Sequence, residues 1–426
     1  MHPRTKTCFP AAILTSLVGI LAAVPAFAES RAQARDQAKD SAGLSLARAL
    51  AVALERNPIV VESGLEWRRL QGAAEGVAGI LAENPIVSAE TGVRRDQGWG
   101  GNQSSITGRL EQPLDLFGQA GSRRKAAQDL VVAARARVAL ARAEVAARVR
   151  LVYTAAQVAS ARIALGEERM ANTRQSVEAL QLRAKLGASS DIDLKLAMAE
   201  TGRAEAALRQ AQVDFGRAVV DLRTLLDLPV NTAARPSDPL LAPPSDSPTV
   251  SDDLLTRHVA VQAIEKRRLA IDSELVRLQR EQLPRLSLGI AVERPSNQER
   301  FVGLALSISP ALWRRNQGPL AEARVERERV EYERTTTLAA LERRWASLRE
   351  EHALLAQELD AVESTLQSEE DVRVLVHAGW QAGKFDFLRV LLAERSVADT
   401  KQSRLALWAD LWNNAIEMRR LLGEEP

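Results

Sequence analysis

Metal and proton chemistry in proteins leans most heavily on histidine and cysteine, and this 426-residue chain has one cysteine and four histidines. Zinc and copper sites need such ligands a few residues apart, or two such pairs. His258, His352 and His377 are scattered and have no close ligand pair. His352 falls inside an apolar helical seam, where a packed side chain fits better than a ligand. Met170, Met198 and Met418 are too dispersed for a soft-metal cluster. Phosphate loops, nucleophile elbows and zinc motifs are missing from the sequence. Its Asp and Glu residues are spread along helical runs and read as solvated faces, not as a catalytic pair. The expectation is a protein that is not an enzyme and holds no cofactor and no resident metal.

The elements around these side chains are unusual in length. Aromatics make up only 4% of the chain, too few for large globular cores, while Ala, Leu, Arg, Glu and Gln dominate as in long helices. Arg4 and Lys6 precede an apolar run at 11–24 and then Ala26-Phe27-Ala28, which predicts a signal peptide at 1–28 and export. Cys8 lies ahead of that run, so the exported chain is expected to carry no lipid on cysteine, no thiol and no disulfide. Removing Arg4 and Lys6 leaves 55 basic residues against 55 acidic ones, which gives no electrostatic case for nucleic acid. No later stretch has the length and freedom from charge of a membrane helix, so contact with a bilayer must come through strands.

The chain repeats itself. "WRRLQGAAEGVAGILAENPIVSAETGV" from Trp67 overlies "KRRLAIDSELVRLQREQLPRLSLGIAV" from Lys266, with Pro85 on Pro284. Pro113 then matches Pro310, Gly121 matches Gly318 and Gly187 matches Gly383, so both halves carry the same elements in the same order. Helical patterns at 44–83 and 254–282 open the halves, the first broken at Asn57-Pro58, and each ends before its proline.

Strand alternation follows. Leu286, Leu288, Ile290 and Val292 share one face, as do Val302, Leu304, Leu306 and Ile308 beyond a polar turn. In the first half Val87, Ala89, Thr91 and Val93 pair with Ile106, Gly108 and Leu110, across a Gly-rich loop containing Trp99. The pairs cover about 85–113 and 284–310, and each strand is near the 9–11 residues a tilted membrane strand needs. Lipid-facing positions are thus expected at Val87, Ala89, Val93, Ile106, Leu110, Leu286, Leu288, Ile290, Val292, Val302, Leu304, Leu306 and Ile308.

From 118 to 186 and from 318 to 382 the chain holds helix formers with no proline after Pro319, giving rods of about 100 Å. Val131, Val138, Val145 and Val152 recur every seven residues, and Leu338, Leu341, Trp345, Leu348, His352, Leu355, Leu359, Val362 and Leu366 step by three and four. Each rod turns near a glycine, Gly187 or Gly383, into a helix about half as long. A returning helix stacked end to end with an opening helix would match one rod. Residues 227–253, with six prolines, read as a linker or ordered belt between repeats at 29–226 and 254–426.

The expected fold is mainly α with a small β part: a long coiled-coil tunnel and four strands per chain. Four strands cannot close into a barrel, so several chains must share one; two, three or four copies give 8, 12 or 16 strands. The other reading of the same alternation is a small sheet packed on helices in a soluble periplasmic coiled-coil protein, such as an adaptor.

"LARALAVALERNP", "EQPLDLFGQAGSRRKAA", "ISPALWRRNQGPLAEA" and "GWQAGKFDFLRVLLAE", in that order, make the chain resemble the TolC-like outer-membrane efflux proteins. Within them it is similar to the heavy-metal cation efflux, CzcC-like, branch. The resemblance implies a homotrimer, a shared 12-stranded outer-membrane β-barrel and a periplasmic tunnel. It also implies partnership with a periplasmic adaptor (membrane fusion) protein and an inner-membrane proton-driven RND-type pump. Conduction would be passive, and drugs or secreted proteins are cargoes the same architecture would serve. The tips Gly187, Ala188, Ser189, Gly383, Lys384 and Phe385 are then expected to meet the adaptor. Asp191, Asp193, Trp380, Asp386 and Arg389 become candidates to line the aperture. Arg389 stands where the family often has aspartate, which departs from a purely acidic ring, and the matching places of Asp193 and Arg389 in the two tips motivate a contact between them that helps hold the aperture shut.

Overall fold

The computed structural model describes residues 43–77, 84–95, 102–186, 190–244, 257–295, 300–313 and 315–423. The expected signal peptide, Trp99, and the tip residues Gly187, Ala188 and Ser189 lie outside the described residues. The elements run α1 (Leu46–Arg56), α2 (Pro58–Gly76), β1 (Ile86–Arg95), β2 (Asn102–Leu114), α3 (Gln119–Lys185) and α4 (Asp191–Leu225). The second half follows with α5 (Val259–Arg280), β3 (Arg285–Pro295), β4 (Phe301–Ser309), α6 (Gln317–Gln381) and α7 (Phe387–Leu422).

Prolines set several of these limits. Pro58 occupies the first turn of α2, where its missing N–H has no helical partner to lose. Pro85 and Pro284 stand directly before β1 and β3. The two rods contain 67 and 65 residues, unbroken as their composition predicts. Both launch from a left-handed residue, Gly118 (φ 82°) or Asn316 (φ 53°), which turns strand direction into helix direction. At both turns a glutamine accepts from the backbone two residues upstream: Gln119 Oε1 from Phe117 N and Gln317 Oε1 from Arg315 N, each at 2.9 Å. These two motifs are 198 residues apart, so at the launch the repeats run one residue out of step with the Gly121–Gly318 match.

Along α6 the expected seam is inward: Trp345, Leu348, His352 and Leu366 are buried, and Leu338, Leu341, Leu355, Leu359 and Val362 are half-buried. Val145 is the buried member of the α3 valine series; Val131, Val138 and Val152 are half-buried. Rod α3 packs along α4, α2, α5 and α7, while α6 packs along α7 and α5. Each rod is therefore matched by shorter helices laid along it.

The shorter helices are spliced end to end by one side chain each. Asn57 caps α2 by accepting from Ile59 N at 3.1 Å, while its Nδ2 donates to the Leu225 carbonyl at the end of α4 at 3.0 Å. His258 does the same for α5: Nδ1 accepts from Ala260 N at 3.2 Å and Nε2 faces the Arg420 carbonyl near the end of α7 at 3.3 Å. Orphan donors of one helix and an orphan acceptor of another are satisfied together.

Around the first splice lies an apolar core of Ala49, Ala53, Val60, Val145, Val149, Tyr153, Leu222 and Leu226. Residues 227–244 strap across it. Leu44 bridges Pro236, and Leu46 N donates to Asp238 Oδ2 at 2.7 Å. The Tyr153 hydroxyl sits 2.7 Å from the Leu44 carbonyl and 2.9 Å from Asp238 Oδ2. Burial, with the Asp238 carboxylate alongside, pushes its pKa up to about 12.

Candidate functional site

The four strands form one antiparallel sheet in the order β1-β2-β3-β4, leaving β1 and β4 as its edges. Register decides what each face carries. Val87 pairs with Leu110, Leu110 with Ile290, and Ile290 with Leu304, so one row of apolar side chains crosses all four strands on one face. The row through Ala89, Gly108, Val292 and Val302 lies on the same face. Another joins Leu114, Leu286 and Ile308, and between them Leu288 pairs with Leu306.

These side chains are bare within the chain. Leu304 is 84% exposed, Val87 78%, Val93 70% and Val302 68%; Ala89, Ile106, Leu110, Leu288, Ile290, Val292, Leu306 and Ile308 are exposed too, and Leu286 is half-buried. The opposite face is polar or small, with Ser88, Arg109, Ala291 and Gly303 in one row and Glu90, Thr107, Glu293 and Phe301 in the next. Arg109 and Glu90 lie 3.8 Å apart there. Gly289 is required on this face, because a Cβ would stand 2.4 Å from the Leu110 carbonyl oxygen. At the foot of the strands Leu116, Phe117, Leu312 and Trp313 are also exposed, Trp313 by 85%.

At the launch itself Arg123 holds Asp115 at 3.0 Å and Glu281 at 3.4 Å, tying α3 to the end of α5 and the turn into β3. The Gln119 side chain adds a bond from Nε2 to the Pro284 carbonyl at 3.4 Å.

The far ends of the rods form the second part of the site. Rod α6 ends in a left-handed Gly383 (φ 73°), with Lys384 N donating to the Gly379 carbonyl at 2.8 Å and Gly383 N to Trp380 at 3.0 Å. Gly383 and Lys384 are exposed. Phe385, expected as a projecting adaptor contact, folds back and is half-buried: a Cβ on Gly379 would lie 2.3 Å from its ring. Ser190 caps α4, accepting from Ile192 N at 3.1 Å, and leaves Asp191 exposed and Asp193 half-buried in the first turn. Asp386 caps α7, accepting from Arg389 N at 3.3 Å.

Two aperture expectations change here. Arg389 points to its own tip, 3.9 Å from Asp386 and with its guanidinium 5.0 Å from the Phe385 ring, where the sequence suggested Asp193. Both members of the Arg389–Asp386 pair are about two-thirds exposed, so the contact contributes little. Trp380, expected at the aperture, is 9% exposed and packs with Leu180, Ala197, Phe387, Val390 and Leu391 between the two hairpins. The Arg183 guanidinium lies 4.1 Å over its ring and donates to the Trp380 carbonyl at 3.0 Å. An apolar ring flanked by four helices is better packed than solvated.

A charge cluster above that apolar group escaped the sequence reading. The Glu200 carboxylate on α4 is 3% exposed and meets Arg169 of α3 at 2.6 Å, Arg203 at 3.2 Å and Arg395 of α7. Burial alone would raise its pKa, but hydrogen bonds and charge from Arg395 and Arg169 hold it at about 2. Beside it Lys401 joins Glu168 at 2.9 Å and Glu370 at 3.1 Å, and His377 Nε2 faces Glu394 at 2.7 Å. Glu168, Arg169, Glu200, Glu394, Arg395 and Lys401 line a cavity of about 50 Å³ among α3, α4, α6 and α7. The signal was present in the sequence: Ala197, Glu200 and Ala204 follow one helical stripe, which puts an acid among buried alanines.

Among the described residues no group of three or more His, Cys, Asp or Glu is placed to hold a metal ion. Among the same described residues no helix is long and apolar enough to cross a membrane.

A sheet turned apolar side outward, standing on two helical hairpins about 100 Å long, defines the outer-membrane channel class with a barrel share and a helical tunnel share. Residues 53–227 match the family model described as "Outer membrane efflux protein". It is 23% identical over 324 residues to the cobalt-zinc-cadmium resistance protein CzcC of Cupriavidus metallidurans, covering 74% of this chain and 77% of that one. It is 25% identical over 245 residues to the nickel-cobalt-cadmium resistance protein NccC of Alcaligenes xylosoxydans xylosoxydans, covering 54% and 55%. A crystal structure of CusC shares the fold with a TM-score of 0.72 at 18% identity, over 89% of this chain and 92% of that one.

Proposed function

We propose that this protein is the outer-membrane channel of a tripartite efflux system, assembled from three copies and conducting heavy-metal cations passively out of the cell. The observation that carries the reading is the sheet: an exposed apolar face bounded by two open edges. In lipid an unpaired strand edge leaves backbone groups unsatisfied at several kcal/mol each. Strand β4 of one chain set beside β1 of the next continues the antiparallel alternation and pairs both edges. Three chains then close twelve strands, the copy number of the TolC-like family.

The exposed Phe117 and Trp313 at the foot of the strands fit the level where hydrocarbon gives way to headgroups. Below it the hairpins reach across the periplasm, where an adaptor protein meets the tips, at Gly187, Ala188, Ser189, Gly383 and Lys384, and links them to an inner-membrane proton-driven RND-type pump. Asp191, Asp193, Asp386 and Arg389 are the polar groups closest to the aperture. The metal is cargo in this reading: its class follows the resistance proteins to which the chain is similar, and selection falls to the pump. Export through a signal peptide at 1–28, without a lipid anchor, delivers the chain to the outer membrane.

Purified protein in a planar bilayer should give discrete conductance steps. Replacing Leu304 and Leu306 with lysine sets two charges on the lipid side at about 2–4 kcal/mol each near the midplane, and should abolish insertion. A wild-type chain that stays monomeric and soluble without detergent and never conducts overturns the reading. Sensitivity of a deletion strain to cobalt, zinc, cadmium and nickel salts tests the cargo.

A further inference from the structure

We infer that the turn launching α6 is a seat for the headgroup of an anionic phospholipid, with Trp313 at the glycerol level and the Arg315 guanidinium on the phosphodiester. The inference rests on the outer-membrane reading above, in which the foot of the strands marks the edge of the hydrocarbon. The two launches are equivalent in position and different in chemistry. At the offset that aligns Gln119 with Gln317, Trp313 stands at the place of Asp115 and Arg315 at the place of Phe117. In the first repeat Asp115 is taken up by Arg123, and the exposed side chains left at the turn are apolar, Leu116 and Phe117. In the second the exposed group is an aromatic ring with a cation, Trp313 with Leu312 ahead of it and Arg315 after it. Aliphatic chain, indole and then guanidinium is the order in which side chains suit the passage from hydrocarbon to headgroup.

The turn is held in place and Arg315 is not neutralised. Its amide donates to Gln317 Oε1 at 2.9 Å and its carbonyl accepts from Gln282 Nε2 at 2.7 Å, so its backbone is tied both to α6 and to the segment after α5. Gln317 Nε2 donates to the Trp313 carbonyl at 3.1 Å, and Asn316 Nδ2 to the Leu278 carbonyl at 3.2 Å. The Arg315 side chain uses only Nε, on the Ala311 carbonyl at 3.2 Å; among the described residues its two terminal amino groups have no partner. Two carboxylates of the launch region are engaged elsewhere, Asp115 by Arg123 and Glu281 by Arg123 and Arg277. The first turn of α6 has no acidic residue. An exposed guanidinium with free terminal N–H groups matches two phosphodiester oxygens at once. An ethanolamine headgroup brings its own ammonium to the same place and a glycerol headgroup does not, so the seat favours the anionic lipid.

The test uses the full-length protein in vesicles of phosphatidylethanolamine with a minor share of phosphatidylglycerol, extracted in mild detergent, with retained lipids counted by native mass spectrometry. Wild type should retain phosphatidylglycerol on the order of fivefold above its share of the bilayer, as expected of one arginine at a lipid surface. Arg315→Gln should return the ratio to its bulk value, while Trp313→Ala should lower retention of both lipids and keep their ratio. Lys125→Gln removes an exposed cation of the other launch that already pairs with Asp129, and should change nothing. A ratio that falls as far in Lys125→Gln means diffuse attraction and overturns the seat, as does an unchanged ratio in Arg315→Gln. Displacement by inorganic phosphate beyond that by sodium chloride at equal ionic strength assigns the turn to free anions and overturns it too. If Arg315→Gln does not assemble, wild type carries the test: the preference should vanish in about 1 M sodium chloride, where the Debye length is about 3 Å, and a preference that survives overturns the inference. Wild type that never enters vesicles defeats the outer-membrane reading; wild type that enters them and retains the two lipids in bulk proportion defeats the seat alone.

Discussion

The two splices perform the same task with different chemistry. Asn57 joins α4 to α2 over a dry apolar bed that includes Val60, Leu222 and Leu226. His258 joins α7 to α5 beside a cavity of about 110 Å³ lined by Glu144 and Arg150 of α3, Leu341 of α6 and Ile416 and Arg420 of α7. An amide cannot titrate; an imidazole can. The repeats share a backbone plan, but the second is built to respond to its surroundings where the first is not. The helices after each splice extend the contrast. Between α5 and α6 the chain uses an ionic ladder, with Arg327 2.6 Å from Asp272, Arg267 3.2 Å from Glu333 and Arg334 on Glu265.

The largest effect should come from breaking the dry splice. Asn57→Ala removes the cap of α2 and strands the Leu225 carbonyl, and should lower the unfolding free energy by about 2 kcal/mol in chemical denaturation. An unchanged midpoint would mean that the helices are held by their flanks alone.

Acid should separate the two splices next. Burial lowers the His258 pKa, and its Nδ1 must stay unprotonated to accept from Ala260 N. The splice is therefore at full strength above the ordinary histidine value near 6.5 and is lost as pH falls through the depressed folded value. Thermal melting between pH 7.5 and pH 5 should show this loss in wild type, and His258→Asn should flatten it by copying the first splice. An identical pH slope in the variant would assign the response to other groups.

The smallest effect belongs to the ladder. Its members are 30–49% exposed, so each pair is worth under about 1 kcal/mol and is screened by salt. Raising sodium chloride from 0.05 to 1 M, on the order of a threefold or greater cut in Debye length, should speed amide exchange in α5 while leaving α1 and α2 unchanged.

Much of this was legible in the residues themselves. Val87, Leu288 and Leu304 announce a one-sided sheet because strand side chains alternate with a period of two regardless of neighbours. Pro85 and Pro284 mark the entries to β1 and β3, since the residue before a proline is pushed toward extended geometry, and Gly383 marks the α6 turn because only glycine enters the left-handed region without cost. The aperture residues were less legible. Arg389 has a capping aspartate three residues away, and that local partner wins over Asp193. Phe385 reads in the sequence as a projecting tip, yet Gly379 six residues earlier opens the space into which its ring folds.

The order of elements, their lengths, the twofold repeat and the apolar side of each strand were settled by sequence alone, since all follow from local periodicity and from residues that start or stop a helix. Tertiary structure decided which helix end meets Asn57 or His258, why Trp380 is buried, and that Glu200 gathers arginines from three helices. Those outcomes depend on segments up to about two hundred residues apart being brought side by side, and no local pattern encodes the identity of a distant neighbour.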